Sequence, residues 1–297
     1  MTQTLNGEPM RLFVFGLGYS ASAFVERVAA SCDWIGATTR GREKAETLAA
    51  RGLVPFLFDG SAPGDDIDAA LSAATHVLVS IAPGEFGDAA LAHHRAALAA
   101  ARPRWVGYLS TVGVYGDHGG DWVDEETPCR PVSKRSQARI EAENDWLAFS
   151  ARTGVPVQIF RLSGIYGPGR NAFVNFEKGT ARRLIKPGQV FNRIHVEDIA
   201  GALEAAVSRA PVTRVFNVTD DEPAPPQDVV SYAAGLLGVE PPPEQDFETA
   251  ELSPMARSFY GENKRVSNAR VKAELDYTFR YPDYRVALEA LHRDGWR

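Results

Sequence analysis

A glycine turn at the end of an apolar run constrains this chain more than any other feature. Arg11-Leu12-Phe13-Val14-Phe15 has the composition of a buried strand, and Gly16-Leu17-Gly18-Tyr19-Ser20-Ala21 follows it at once. The stretch from Ala21 to Val28 then carries helical spacing. Strand, glycine turn and helix in that order read as the G-x-G-x-x-A form of a dinucleotide-binding fingerprint. Gly16 allows the tight turn. Gly18 lets a pyrophosphate approach the backbone, where the unpaired N–H groups of the helix start at Tyr19 and Ser20 receive it. Ala21 is small enough for the helix to pack on its strand. An ordinary strand-to-helix turn is the competing explanation of the same residues.

Strand-like and helix-like segments alternate along the 297 residues. Strands are expected at 11–15, 34–39, 54–58, 76–81, 105–110, 157–162 and 214–218, and helices at 20–30, 42–50, 67–73, 88–101, 137–151 and 196–208. This rhythm predicts an α/β fold, a Rossmann-type doubly wound parallel sheet with its ligand at the carboxyl ends of the strands. After Leu162 the segments become irregular and rich in proline and glycine. The expected division is a Rossmann domain at 1–165 and 194–219, with a smaller C-terminal substrate lobe at 166–193 and 220–297.

Composition narrows the functional classes. A formal charge of −6 without a basic stripe argues against nucleic acid as a partner. Cys32 and Cys129 form neither a disulfide framework nor a zinc pattern, and no metal site is expected. No secretory segment and no apolar run of membrane-spanning length is visible, so no membrane association and a cytoplasmic location are expected.

The second strand bears on cofactor choice. NAD-binding versions of this turn usually place a carboxylate at the strand's tip, on the ribose 2′-hydroxyl. Here the strand runs into Thr38-Thr39-Arg40-Gly41-Arg42-Glu43-Lys44, with Arg40 where the carboxylate would be. A guanidinium there suits a 2′-phosphate, so NADP is expected over NAD, with Arg42 or Lys44 as a second positive charge. A solvated basic turn is the alternative. Asp59 ends the third strand and is either an adenine acceptor or an ordinary turn residue. Ala82 and Pro83 end the fourth, where small residues let backbone lie against the cofactor.

With these residues in place the chain resembles the extended short-chain dehydrogenase/reductase family, epimerase/dehydratase type. The resemblance is carried by GLGYSA at 16–21, LSTVGVYG at 109–116, RLSGIYGPGR at 161–170, RIHVEDIA at 193–200 and VFNVTDDEP at 215–223. It implies a Rossmann-type domain, a bound nicotinamide cofactor, a C-terminal substrate lobe and a catalytic set of Ser/Thr, Tyr and Lys; it does not itself imply a substrate, and a small polar or nucleotide-sugar-like one is expected. Thr111, four residues before Tyr115, matches the Ser/Thr position. Aligning the next helix on Glu143 places Arg139 at the lysine position and Arg135 at the tyrosine position. Residues 117–165 contain no tyrosine at all. The chain thus resembles an atypical member of that family, one lacking the Tyr-x-x-x-Lys motif. A guanidinium does not give up its proton in a protein, so Arg135 cannot replace the tyrosine.

The candidate catalytic residues are Thr111, Tyr115 and Arg139, with Arg139 also on the cofactor ribose. Tyr166 and His118 are further candidates for proton transfer. His195 reads better as part of a helix start. The resemblance places Arg170 and Arg193 near a substrate diphosphate, with surface ion pairing as the alternative. Two functions remain open: an NADP(H)-dependent oxidoreductase with a non-standard proton-transfer group, and an NADP(H)-binding redox sensor or scaffold without turnover. A monomer or a homodimer built on helices 88–101 and 137–151 fits either.

Overall fold

The computed structural model describes residues 9–84 and 87–297. The first half runs β1 (Met10–Phe15), α1 (Tyr19–Val28), β2 (Cys32–Thr39), α2 (Arg42–Ala50), β3 (Val54–Leu57), α3 (Ile67–Ala73), β4 (His76–Val79), α4 (Ala89–Ala101), β5 (Trp105–Thr111), β6 (Trp122–Val123) and α5 (Lys134–Thr153). It continues with β7 (Val157–Leu162), β8 (Gly164–Tyr166), α6 (Ala172–Glu177), β9 (Arg183–Ile185), β10 (Arg193–His195), α7 (Val196–Val207) and β11 (Arg214–Val218). The remainder is α8 (Pro226–Leu237), β12 (Glu244–Asp246), α9 (Pro254–Phe259), β13 (Arg265–Val266), α10 (Ala269–Leu275) and α11 (Tyr284–Asp294).

The central sheet has seven parallel strands in the order β3-β2-β1-β4-β5-β7-β11. Its order reverses between β1 and β4, which opens the ligand crevice of a doubly wound fold above the ends of those strands. The strands read as near-continuous apolar runs because both faces are covered. One face packs Leu12 and Val14 against α1, α7 and α10 through Phe24, Val25, Leu203 and Leu275. The other packs Phe13 and Phe15 against α3, α4 and α5 through Leu71, Leu98, Trp146 and Phe149.

Capping decides several boundaries. Asp88 precedes α4 and accepts the Leu91 N–H at 3.0 Å, so it is a cap and not a helical residue. Ser133 accepts the Ser136 N–H at 3.1 Å and starts α5 at Lys134, ahead of the expected residue 137. β4 ends at Val79, which frees Ser80 to Ala82 as loop.

The lobe has its own core of Phe173, Ala233, Tyr284 and Leu288. Part of it returns to the sheet: Val271, Leu275 and Phe279, expected in the lobe, belong to the Rossmann core. The loop after β5 is also tied to the far end of the chain. His118 N–H donates to the Asn263 carbonyl at 2.9 Å and Lys264 Nζ to the Gly116 carbonyl at 2.7 Å. β6 then pairs with β13. Gly116 turns the chain here at φ +72°, where a Cβ would lie 1.8 Å from the Arg130 carbonyl oxygen.

Candidate functional site

The glycine turn is built as a cradle. Gly16 sits at φ +84°, and a Cβ there would lie 2.5 Å from Ile81 Cγ2, so conformation and space both require glycine. Its N–H donates to Thr38 Oγ1 at 2.8 Å, which ties the turn to β2. Gly18 precedes α1 in extended backbone with no side-chain cap. A Cβ on Gly18 would meet nothing within 4 Å. The space beside Gly18 is thus open, and no side chain caps the first N–H groups of α1, as a pyrophosphate requires. Ala21 is fully buried in the core under the helix, and Ser20 is buried beside it. Tyr19 reaches away from the turn. Its hydroxyl donates to the Pro168 carbonyl at 2.8 Å and its ring lies 5.1 Å from the Arg170 guanidinium, so it braces the Gly167-Pro168-Gly169 loop over the cradle.

On the β2 side, Arg40 and Arg42 are exposed, and neither makes a hydrogen bond or ion pair among the described residues. Lys44 is not the second free charge expected there. Its Nζ donates to the Leu17 carbonyl at 2.7 Å and holds the glycine loop. Asp59 is exposed at the end of β3. One carboxylate oxygen accepts the Ser61 hydroxyl at 2.7 Å and the Ser61 N–H at 2.9 Å, and these bonds hold its pKa below the usual value. Ala82 is exposed and Pro83 half-buried in the loop after β4.

Thr111 ends β5, and its Oγ1 accepts the Gly113 N–H at 3.1 Å. A Cβ on Gly113 would lie 2.9 Å from Ser136 Oγ and 3.3 Å from Thr111 Oγ1, so the two hydroxyls flank this glycine. Arg139, one turn further along α5, spans the ends of β4 and β5. Its Nη1 donates to the Leu109 carbonyl at 2.7 Å and to the Tyr108 hydroxyl at 3.1 Å, with the Ile81 carbonyl at 3.5 Å. Nε and Nη2 make no bond among the described residues. Arg135 is exposed.

Tyr115, expected among the catalytic residues, is fully buried under this site. Its hydroxyl donates to Asn217 Oδ1 at 2.8 Å and accepts from Arg161 Nη1 at 2.9 Å. Burial pushes its pKa up to about 12. It is one member of a buried network. Arg161 Nη2 pairs with Glu143 Oε2 at 2.7 Å, and Ser110 donates to the other Glu143 oxygen. Tyr115 thus shapes the floor and has no free path to a substrate.

The histidines are also occupied. His118 Nε2 donates to the Tyr115 carbonyl at 3.1 Å. His195 caps α7, its Nδ1 accepting the Glu197 N–H at 3.3 Å, and burial lowers its pKa to about 4. The Tyr166 hydroxyl is buried without a partner, and burial raises its pKa far above the usual phenol value. Among the described residues no group of three or more His, Cys, Asp or Glu is placed to hold a metal, and no helix is long and apolar enough to cross a membrane. Sequence reasoning missed Ser136, which the Ser133-x-x-Ser136 spacing at a helix start marks only as a cap.

The chain matches the NAD dependent epimerase/dehydratase family over residues 65–219. Protein YeeZ of Escherichia coli K12 is 33% identical over 235 residues, covering 74% of this chain and 76% of that protein. A functionally unknown conserved protein from Silicibacter pomeroyi has a solved structure with 49% identity and a TM-score of 0.86, over 96% of this chain and 99% of that one. The human epimerase family protein SDR39U1, solved with NADPH, shares the fold at 18% identity and a TM-score of 0.72, over 96% and 100% of the two chains. The matched family segment begins beyond the glycine turn, so fingerprint geometry and family match are independent, and together they place the chain in the NAD-dependent epimerase/dehydratase family.

Proposed function

We propose that the protein is an NADP(H)-dependent oxidoreductase acting on a small polar substrate. One observation carries the reading: the uncapped start of α1 opens in front of Gly18, while the unpaired Arg40 stands at the tip of β2. Gly18 and the first N–H groups of α1 would hold the pyrophosphate, Arg40 the 2′-phosphate, and Arg139 the ribose beside the nicotinamide through its unengaged nitrogens. A bound nicotinamide supplies or takes a hydride. Thr111 and Ser136 hold the substrate oxygen by neutral hydroxyls and lack a group that exchanges protons easily at neutral pH, so the proton comes from solvent.

Cofactor choice is tested by titrating NADP+ and NAD+ into the protein and its Arg40→Ala variant. Loss of a charge-assisted bond to phosphate is worth about 1.5–3 kcal/mol, so NADP+ affinity should fall by roughly 10- to 100-fold and NAD+ affinity should not change. Equal affinities in the parent protein, or equal losses in the variant, would refute the assignment.

The missing tyrosine favours a second reading, an NADP(H)-binding sensor or scaffold without turnover. Thr111→Val separates the two. In an oxidoreductase, NADPH consumption in a small-molecule extract should fall by about 10²-fold while NADP+ affinity stays the same. In a sensor there is no turnover to lose.

A further inference from the structure

The turn braced on Tyr19 carries a charge that the chemistry above leaves unused. Gly167 and Arg170 close it with two backbone bonds, each N–H donating to the other's carbonyl at 3.0 Å. Gly169 N–H donates to the Trp296 carbonyl at 2.9 Å, and Asn171 Nδ2 donates to the Gly167 and Trp296 carbonyls at 2.8 Å. Gly167 sits at φ +151°, where a Cβ would lie 2.7 Å from the Tyr19 hydroxyl oxygen and 2.8 Å from Val196 Cγ1. Only glycine lets the turn close this far onto α1. Arg170 stands on this fixed turn with its guanidinium over the Tyr19 ring. Its side chain is exposed and makes no hydrogen bond or ion pair among the described residues. Glu197, whose charge also reaches Tyr19, is paired with Arg280 at 2.6 Å instead.

Both edges of the cradle are accessible. Gly18 is exposed on the α1 side, and Pro168, Gly169 and Arg170 are exposed on the turn. Tyr19 follows Gly18 directly, so its ring ties the Arg170 guanidinium to the first turn of α1. A helix start offers about half a positive charge, while each phosphate of a dinucleotide carries a full negative one. The first turn of α1, Tyr19-Ser20-Ala21-Ser22, has no basic residue, and Lys44 is engaged by the Leu17 carbonyl. We propose that Arg170 is a cofactor residue, closing the cradle opposite α1 and pairing with the pyrophosphate of the dinucleotide. The family resemblance puts this arginine on a substrate diphosphate; its seat on Tyr19 favours the cofactor's own. The guanidinium gives up only an exposed contact with an aromatic ring, which is weak beside a charge-assisted bond to phosphate. This role rests on the dinucleotide reading of the cradle and holds for NADP(H) and NAD(H) alike.

The test titrates NADP+ and NAD+ by calorimetry into the parent protein, Arg170→Met and Arg170→Lys, and UDP into the NADP+-loaded samples. Thermal melting of the ligand-free samples shows whether each is folded. Arg170→Met should weaken NADP+ and NAD+ by the same factor, roughly tenfold, because both carry the pyrophosphate. Arg40→Ala, by contrast, weakens NADP+ alone. Arg170→Lys keeps the charge and should stay within about threefold of the parent. The parent's NADP+ affinity should also fall more steeply with added salt than that of Arg170→Met. Ligand-free melting should not change, since the Arg170 side chain has no hydrogen bond or ion pair to lose. Equal dinucleotide affinities in the parent and Arg170→Met overturn the proposal, as does loss of UDP binding alone, which would return Arg170 to a substrate. Equal losses in the Met and Lys variants with lower melting temperatures overturn it too, in favour of a structural role. A parent that binds neither dinucleotide sinks the reading of the cradle itself, and the clasp with it.

Discussion

Gly18→Asp is expected to stabilise the ligand-free protein slightly while abolishing dinucleotide binding. Gly18 occupies the capping position of α1 at φ −91° and ψ −168°, a conformation open to any residue, and a Cβ there meets nothing. An aspartate would cap the first N–H groups and complement the positive end of the helix, while losing the backbone freedom of glycine in the unfolded chain. Together these should add roughly 0.5–1 kcal/mol. The same carboxylate occupies the place of the pyrophosphate. A pair of like charges about 4 Å apart near a protein surface repel by about 4 kcal/mol, so NADP+ affinity should fall by about 10³-fold. Calorimetric titration and thermal melting measure the two effects separately. A variant that NADP+ still stabilises would mean the pyrophosphate does not sit at α1.

Arg161→Leu should be among the most destabilising single changes in the molecule. It leaves Glu143, 1% exposed, as a buried carboxylate with only Ser110 for company, and takes one partner from the Tyr115 hydroxyl. Breaking a buried pair from one side costs about 3–5 kcal/mol. Urea unfolding should show a lower midpoint with an unchanged slope. Removing both charges, as in Glu143→Leu with Arg161→Leu, should recover much of the loss, because the penalty belongs to the charge left alone. A double variant as unstable as the sum of the singles would show that the network's geometry, and not its charge balance, supports the sheet.

The parts of the fold that were legible in the sequence are those where physics acts over many adjacent residues. β1, β5 and β7 are apolar on both faces because helices cover both sides, and such runs stand out. β6, β8, β10 and β13 contain two or three residues each, too few for any periodicity, and their pairing follows from the lobe's position. The return of α10 to the sheet was hidden for the same reason: its apolar spacing shows an amphipathic helix and not which surface it covers. At the site, the glycine turn and the place of Arg40 just past β2 could be read because their neighbours in sequence are their neighbours in space. Asp220 could not. Thr219-Asp220-Asp221-Glu222-Pro223 has the composition of a solvated turn, yet Asp220 is buried, its N–H donating at 2.7 Å to the carbonyl of Arg193 on a distant segment. Lys44 misled for a similar reason, since its target is a carbonyl within the glycine loop.

The buried network has a consequence for the order in which the chain acquires its structure. Ser110, Tyr115, Glu143 and Arg161 leave a ribosome well before Asn217, which accepts from Tyr115 and donates its side-chain amide to the Ser267 carbonyl at 3.2 Å. β7 has β11 as its only neighbour on the outer side, so its edge stays open until residues 214–218 emerge. At ordinary elongation rates that interval is on the order of seconds, long compared with collapse of the earlier segments. During it the nascent sheet presents an apolar parallel edge and a tyrosine hydroxyl short of one partner. That interval is when chaperone capture or mispairing with another nascent chain competes with native folding, and arrival of β11 closes it.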